Sequence, residues 1–356
     1  MKAISCPSYG PPDVLHPAER PKPVPSGDEL LIKIHATTVS VADCRLRGFN
    51  VPKSIWLPAR LMLGFRRPKR TVLGAELAGE VEAVGTSVRR FKSGDQVFAS
   101  ALPKFGAYAE YICLAEDVAV ATKPTNMSYE EAATVPIGAR TAWHYLRKAN
   151  LQAGQHVLIY GASGSVGSYA VQLAKYWGAK VTAVCGPTNL ELVRSLGADE
   201  AIDYTQSNFS LGTSHYDVVF DVVNKAPFRA CLRALKPKGS YLNCTSPVPS
   251  LQMLWAMLTS SQTLILGQSP PERPEELEHI KTLIEAGNLR TVIDSYYPLE
   301  DIVAAHHYVD RGHKKGNVAI TVVAPTSTHS QSLNKQQQPD DTSEQVLPTE
   351  RSLAHA

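Results

Sequence analysis

The segment Val157-Leu158-Ile159-Tyr160-Gly161-Ala162-Ser163-Gly164-Ser165-Val166-Gly167 carries the residue types of a phosphate cradle. A short apolar, β-branched run enters a glycine-rich turn. A helix pattern follows, with Val166, Ala170, Leu173, Ala174 and Trp177 at helical spacing. This strand–turn–helix is the context a dinucleotide needs. Gly164 lets the backbone approach a pyrophosphate, and Gly167 lets the helix pack closely on the strand. The free N–H groups at the helix start then face the anionic phosphates. No Ser/His/Asp arrangement competes with this reading. His306-His307 and His313 read as lone imidazoles, at the surface or in packing. The cysteines, Cys6, Cys44, Cys113, Cys185, Cys231 and Cys244, show no metal-ligand or redox spacing, and reduced, mostly buried thiols are expected.

The elements around the turn repeat a strand–helix alternation. Val181 to Val184 is a second strand, and Asn189 to Leu196 a short helix closed by Gly197. Ala201 to Tyr204 and Asp217 to Phe220 are further strands, with a helix from about Pro227 to Leu235. Lys236-Pro237-Lys238-Gly239 reads as a turn into a fifth strand, Ser240 to Asn243, and Leu264 to Leu266 as a sixth. The alternation implies a parallel sheet covered on both faces. Before Tyr129 the pattern differs. Glu29 to Ala36, Glu80 to Gly85, Gln96 to Phe98 and Tyr108 to Leu114 alternate around strands separated by Gly and Pro. They imply a small, mostly antiparallel, partly closed β-barrel. Glu130 to Ala149 is a helical bridge broken at Pro136-Ile137-Gly138. Thr291 to Tyr296 and Val318 to Val323 are strands returning to the first domain. The expected division is 1–128, completed by 291–323, with 129–290 as the nucleotide domain and 324–356 as a disordered tail.

With 356 residues, 44% hydrophobic and 19% charged, the chain fits a globular protein of two domains. The net charge of +3 divides into −2 on the tail and about +5 on the rest, too little to argue for nucleic-acid binding. Met1-Lys2-Ala3-Ile4 shows no signal-peptide pattern, and no apolar run reaches membrane-spanning length, so a cytoplasmic location is expected. Two apolar stretches stand out: Ile55 to Phe65, running into Arg66-Arg67-Pro68-Lys69-Arg70, and Leu251 to Leu266 with Trp255 and Met257. Each is expected to be a loop packed over a cleft, or a dimer contact. The second reading is a lip touching membrane or a greasy substrate, and the basic run also mimics a nuclear-import signal.

Several phrases together resemble the medium-chain dehydrogenase/reductase superfamily, up to about Val323. They are Gly74-Ala75-Glu76-Leu77-Ala78-Gly79-Glu80-Val81, Phe91-Lys92-Ser93-Gly94-Asp95, Ala132-Ala133-Thr134-Val135-Pro136, the glycine turn, Leu196-Gly197-Ala198-Asp199 with Asp203-Tyr204, and Gly312-His313-Lys314-Lys315-Gly316. The chain looks like the zinc-free, quinone-oxidoreductase-like branch. The resemblance implies a Rossmann-type doubly wound sheet plus a GroES-like domain. Zinc relatives carry a Cys where this chain has Ser40 and a Gly-His-Glu where it has Gly74-Ala75-Glu76, and the structural-zinc lobe is missing. Cys44 is displaced from the ligand position. A catalytic zinc needs three protein ligands and an open position, so no metal is expected.

The resemblance also implies a nicotinamide cofactor. The second strand ends Val184-Cys185-Gly186 with no acid to hold ribose hydroxyls, which favours NADPH over NADH. Relatives add a Ser and a Lys or Arg just after this strand, where this chain has Gly186-Pro187-Thr188-Asn189, so the usual basic partner of a 2′-phosphate is missing. The expected cofactor residues are Thr141, Gly161, Ala162, Ser163, Gly164, Ser165, Val166, Gly167, Thr188, Asn189, Tyr204, Asn243 and Asn317. Thr141 would reach the nicotinamide carboxamide, or else bond its own helix. Arg194 is expected on a solvated face. Asp43 and Arg47, expected to line the cleft, are candidates for catalysis or for a structural ion pair on a short helix.

Without a metal the substrate must already be electrophilic. The expected reaction is hydride transfer from NADPH to a quinone or α,β-unsaturated carbonyl, the substrate being a hydrophobic small molecule. Alternatives are a medium-chain enal or enoyl-thioester reductase, or a scaffold of the same fold that binds nucleotide, RNA or membrane partners. Relatives commonly pair through the sheet edge of the nucleotide domain, so a homodimer is one option.

Overall fold

The computed structural model describes residues 1–52, 55–102, 104–206, 213–245 and 248–323. The tail 324–356, expected to be disordered, lies outside the described residues. Two sheets dominate. The N-terminal part contains β1 (Lys2–Ser5), β2 (His16–Glu19), β3 (Glu29–Thr38), α1 (Val41–Gly48), α2 (Trp56–Leu63), β4 (Glu76–Val84), β5 (Gln96–Ser100), β6 (Tyr111–Ala115) and β7 (Val120–Thr122). After the bridging helices α3 (Tyr129–Ala133) and α4 (Gly138–Lys148) come β8 (His156–Tyr160), α5 (Ser165–Tyr176), β9 (Lys180–Cys185), α6 (Leu190–Ser195), β10 (Glu200–Asp203) and β11 (Tyr216–Asp221). Then follow α7 (Phe228–Ala234), β12 (Leu235–Asn243), α8 (Leu251–Thr259), β13 (Thr263–Leu266), α9 (Pro274–Glu285), β14 (Ile293–Pro298), α10 (Ile302–Asp310) and β15 (Asn317–Thr321).

The second sheet is wholly parallel, in the order β10-β9-β8-β11-β12-β13. Strand order therefore reverses between β8 and β11, and in open α/β sheets the ligand crevice lies outside the strand ends at this point. Successive β8 residues serve opposite faces. Val157 and Ile159 join a core with Tyr145, Tyr169 and Phe220, whereas Leu158 joins Val219, Cys231, Tyr241 and Met253. Both faces are buried, which explains strands that read as continuous apolar runs.

The first sheet runs β14-β15-β3-β4-β5-β7, with β6 also on β3. The long β3 makes this possible: Glu29–Lys33 pair with β6 and Ala36–Thr38 with β15, while β4 holds the other side. All its pairs are antiparallel except β14 with β15. The strands expected near 291–296 and 318–323 do return to this sheet. The turn expected at 236–239 is instead an irregular start to β12, where the register shifts and Lys238 takes φ +64°.

Helix starts follow local chemistry. Ser40 and Asp43 form a capping box on α1, as Ser128 and Glu131 do on α3. The apolar stretches, expected as packed loops or dimer contacts, contain helices with outward faces, and the end of the second is the expected sixth strand, β13. In α2 no residue is buried, and in α8 Leu251, Leu254, Trp255 and Leu258 are exposed. No helix among the described residues is long and apolar enough to cross a membrane.

Candidate functional site

Beyond β8 the chain turns at Gly161, whose φ of +84° suits glycine. A Cβ there would lie 2.7 Å from Val223 Cγ1. Gly164 is the N-cap of α5 in extended conformation. A Cβ on Gly164 would meet only the Gly161 carbonyl, at 3.5 Å, so this face of the turn is open. Gly167 is the opposite case. Its Cβ would fall 2.2 Å from the Gly161 oxygen and 2.7 Å from Ala162 Cα, so helix and turn are in backbone contact. The first N–H groups of α5, at Ser165, Val166 and Gly167, have no intrahelical acceptor and carry the positive end of the helix dipole. Ala162 is fully buried beneath them.

The C-terminal segment crosses this turn. Gly316 N–H donates to Ser163 O at 2.7 Å, and Gly316 pairs with Gly164 as an isolated parallel bridge. Asn317 follows, its Nδ2 donating to Val292 O at 3.1 Å. On the other side, Asn189 N–H donates to Gly186 O and Asn189 Nδ2 donates to Ser163 Oγ at 3.2 Å. The Asn189 Oδ1 is buried with no hydrogen-bond partner, an acceptor waiting for a donor. Tyr204 is exposed, with its ring 3.7 Å from the place a Gly186 Cβ would occupy. Thr188 is exposed beside it. Ser163, Asn189, Gly186 and Tyr204 thus gather around the end of β9.

Thr141 lies half-buried on α4, and its hydroxyl makes no hydrogen bond among the described residues. The alternative expectation, a bond to its own helix, is therefore not met. Asn243 ends β12 as expected, but its side chain is engaged: Nδ2 donates to Asn224 Oδ1 at 2.8 Å, and Oδ1 accepts from Thr245 N–H at 2.9 Å. Arg194 pairs with Glu191 on the exposed side of α6.

Asp43 and Arg47, expected to line the cleft, are both buried, and they do not pair with each other. Asp43 is fully buried. It closes the capping box with Ser40 and accepts from Gly74 N–H at 3.2 Å. Burial raises its carboxyl to about 6, against the pull of those hydrogen bonds. Arg47 reaches away to Asp310 at 2.5 Å, to His306 Nδ1 at 2.9 Å and to Gly10 O at 3.2 Å. His306 is in packing, one of the two settings expected, and it has partners there. It is buried, and its Nε2 also contacts Tyr108 Oη at 3.1 Å. Burial, then Arg47, press it down to about 3, so it is neutral. The network fastens α10 to α1.

Two charged residues, quoted in the sequence only within longer phrases and not as site candidates, also belong here. Glu76 is buried at the start of β4, accepting from Thr38 Oγ1 at 2.7 Å and from Ile137 N–H at 2.9 Å, just ahead of α4. Burial lifts it to about 7, although its hydrogen bonds and the Lys314 charge oppose this. Lys314, half-buried, donates to Gly316 O and is lowered to about 8 by burial, opposed by Glu76 and Asp294. A lone acid in the apolar Ala75-Glu76-Leu77-Ala78 run was the available signal for Glu76.

Residues 196–320 match the family model described as Zinc-binding dehydrogenase, and residues 26–125 the one described as Alcohol dehydrogenase GroES-like domain. The chain is 34% identical over 333 residues to the Quinone-oxidoreductase homolog, chloroplastic, of Spinacia oleracea, covering 90% of this chain and 98% of that protein. It is 31% identical over 335 residues to the NADPH-dependent alkenal/one oxidoreductase, chloroplastic, of Arabidopsis thaliana, covering 90% and 79%. Among solved structures, the quinone oxidoreductase from Coxiella burnetii aligns with a TM-score of 0.80 at 28% identity, covering 91% of this chain and 99% of that one. The chain belongs to the medium-chain dehydrogenase/reductase superfamily, in its quinone-oxidoreductase-like branch.

The zinc in the family description does not fit these residues. Ala75 has no donor atom, and Ser40 is committed to its capping box. Glu76 is held by Thr38 and Ile137, and the Cys44 sulfur lies against His306 Nδ1 at 3.4 Å. Among the described residues no group of three or more His, Cys, Asp or Glu comes together to hold a metal.

Proposed function

We propose that the chain is a zinc-independent, NADPH-dependent oxidoreductase that reduces a quinone or an α,β-unsaturated carbonyl. The observation that carries this reading is the open glycine turn flanked by the unpartnered Asn189 Oδ1. A dinucleotide offers both what this surface lacks: phosphate oxygens for the α5 N–H groups and a ribose hydroxyl for Asn189. When bound, the reduced nicotinamide supplies hydride. The residues that would hold the cofactor are 161–167 at the phosphates, Thr188, Asn189 and Tyr204 at the adenosine ribose, and Thr141 at the carboxamide, with Asn317 beside the turn. Asn243 is a weaker candidate, since its amide is already engaged. NADPH is favoured because β9 ends without an acid.

The missing donor set supports zinc-independence, and hence a substrate activated by its own conjugation. The names of the two plant relatives support quinones and enones; an alkenal reductase is the second reading. Residues 1–128 with 291–323 form the substrate part of this reading, and 129–290 the cofactor part. The free outer edge of β13, beside the apolar face of α8, supports pairing of two copies. The cysteines described are all unpaired, which supports a reducing, cytoplasmic setting.

The test is a panel of quinones and enones, followed by loss of NADPH absorbance, on protein whose zinc content has been measured. Turnover without stoichiometric zinc is expected. Zinc at one per active chain, or saturable NADPH binding with no turnover on any member, overturns the reading; the second result favours a binding protein.

A further inference from the structure

Helix α2 presents a surface that the reductase reading leaves unused. Trp56, Leu57, Leu61, Met62 and Phe65 are all exposed, Leu61 at 65% and Met62 at 71%. The segment is nevertheless anchored. Tyr9 Oη donates to the carbonyls of Leu63 and Gly64 at 3.0 and 3.1 Å, and the Arg60 guanidinium lies 3.7 Å from the centre of the Phe49 ring. Trp56 joins this anchor through its edge-on contact with Phe49 and passes it on to Phe65, while Leu57, Leu61 and Met62 remain the most freely exposed apolar side chains of the helix itself. Contiguous exposed apolar surface on an ordered helix marks an interaction site.

Charge identifies the partner. No Asp or Glu occurs from Cys44 to Ala75, whereas Arg66, Arg67, Lys69 and Arg70 follow the helix directly. These four are exposed and none forms an ion pair among the described residues, though the Lys69 ammonium donates to Leu61 O at 2.8 Å. An apolar face beside a cationic collar complements an interface with acyl chains below and anionic headgroups above. A second copy of the chain would bring the same positive charge against itself. The comparable face of α8 lacks this signature, because no charged residue occurs between Lys238 and Glu272.

We propose that α2 and residues 65–70 dock the protein on an anionic lipid membrane. The apolar side chains enter the headgroup boundary, and the arginines and lysine hold the lipid phosphates and carboxylates. The test is sedimentation of the full chain with vesicles of phosphatidylcholine alone, or with phosphatidylserine added. Binding to the anionic vesicles only is expected, weakening as salt rises. Arg66→Glu with Arg67→Glu should lower vesicle affinity about tenfold or more, as should Leu61→Ser with Met62→Ser. Thermal melting and NADPH affinity of both variants, whose altered side chains are exposed, serve as the folding check. Equal binding to neutral and anionic vesicles, or no binding to either, overturns the proposal. So does self-association of the parent that the Leu61/Met62 variant disperses without any vesicle binding. Binding is read without turnover, so its failure leaves the reductase reading standing.

Discussion

Replacing Glu76 by Gln should make the protein more stable at alkaline pH. The carboxyl is fully buried, and burial raises it from 4.5 to about 7. The unfolded chain loses this proton near pH 4.5, while the folded chain keeps it until about pH 7. Between those values the native state binds more protons, so stability falls as pH rises. At about 1.4 kcal/mol per unit, the loss across the window is about 3 kcal/mol. Glutamine has no proton to lose. Its oxygen can accept from Ile137 N–H and its amide can donate to Thr38 Oγ1, reproducing the pattern of the protonated acid. Urea unfolding at about pH 5 and pH 8 measures both proteins. The variant should gain about 3 kcal/mol on its parent between the two conditions. Because the comparison is between variant and parent, titrating groups that do not feel Glu76 cancel; Asp43 and Lys314, whose charges act on it, shift with the substitution. A variant-minus-parent difference that is the same at both pH values would refute the reasoning.

The two glycines of the turn should separate packing from binding. Gly167→Ala forces a Cβ to 2.2 Å from the Gly161 oxygen, so it should lower stability by about 1–3 kcal/mol and abolish NADPH binding. Gly164→Ala meets nothing closer than 3.5 Å, so it should melt like the parent yet bind NADPH more weakly; unchanged affinity in a fluorescence titration would remove this face from the cofactor site. Arg47→Met strips donors from Asp310, His306 and Gly10, and should destabilise by about 3 kcal/mol with NADPH affinity intact. Normal stability with lost turnover would instead put Arg47 in the chemistry.

The glycine turn and the strand–helix alternation were legible because each depends on residues close in sequence. The turn's geometry needs glycine at 161 and 167 whatever surrounds it. That Ala75 brings no side-chain donor is likewise plain from the residue alone, whatever the fold around it. Partners distant in sequence were not legible. Arg47 was matched with its helix neighbour Asp43, but its partners are His306 and Asp310, more than 250 residues away. The two imidazoles at 306 and 307 look alike in the sequence, and helical periodicity turns the first inward and the second outward. The apolar stretches misled for a related reason. Hydrophobicity implies burial only when something covers it, and among the described residues nothing covers the outer faces of α2 and α8.

The pairing of β15 with β3 sets the order in which the molecule can be completed. Thr37 and Ile320 sit side by side, though nearly the whole chain separates them. On a ribosome, the first sheet to emerge lacks its neighbour until the last strands have been synthesised, and loop closure over such a distance is slow. The parallel sheet, whose strands lie within one continuous stretch, can mature meanwhile. The portion made first is therefore finished last, and the Ala36–Thr38 end of β3 spends translation with an adhesive flank that a nascent-chain chaperone would have reason to shield.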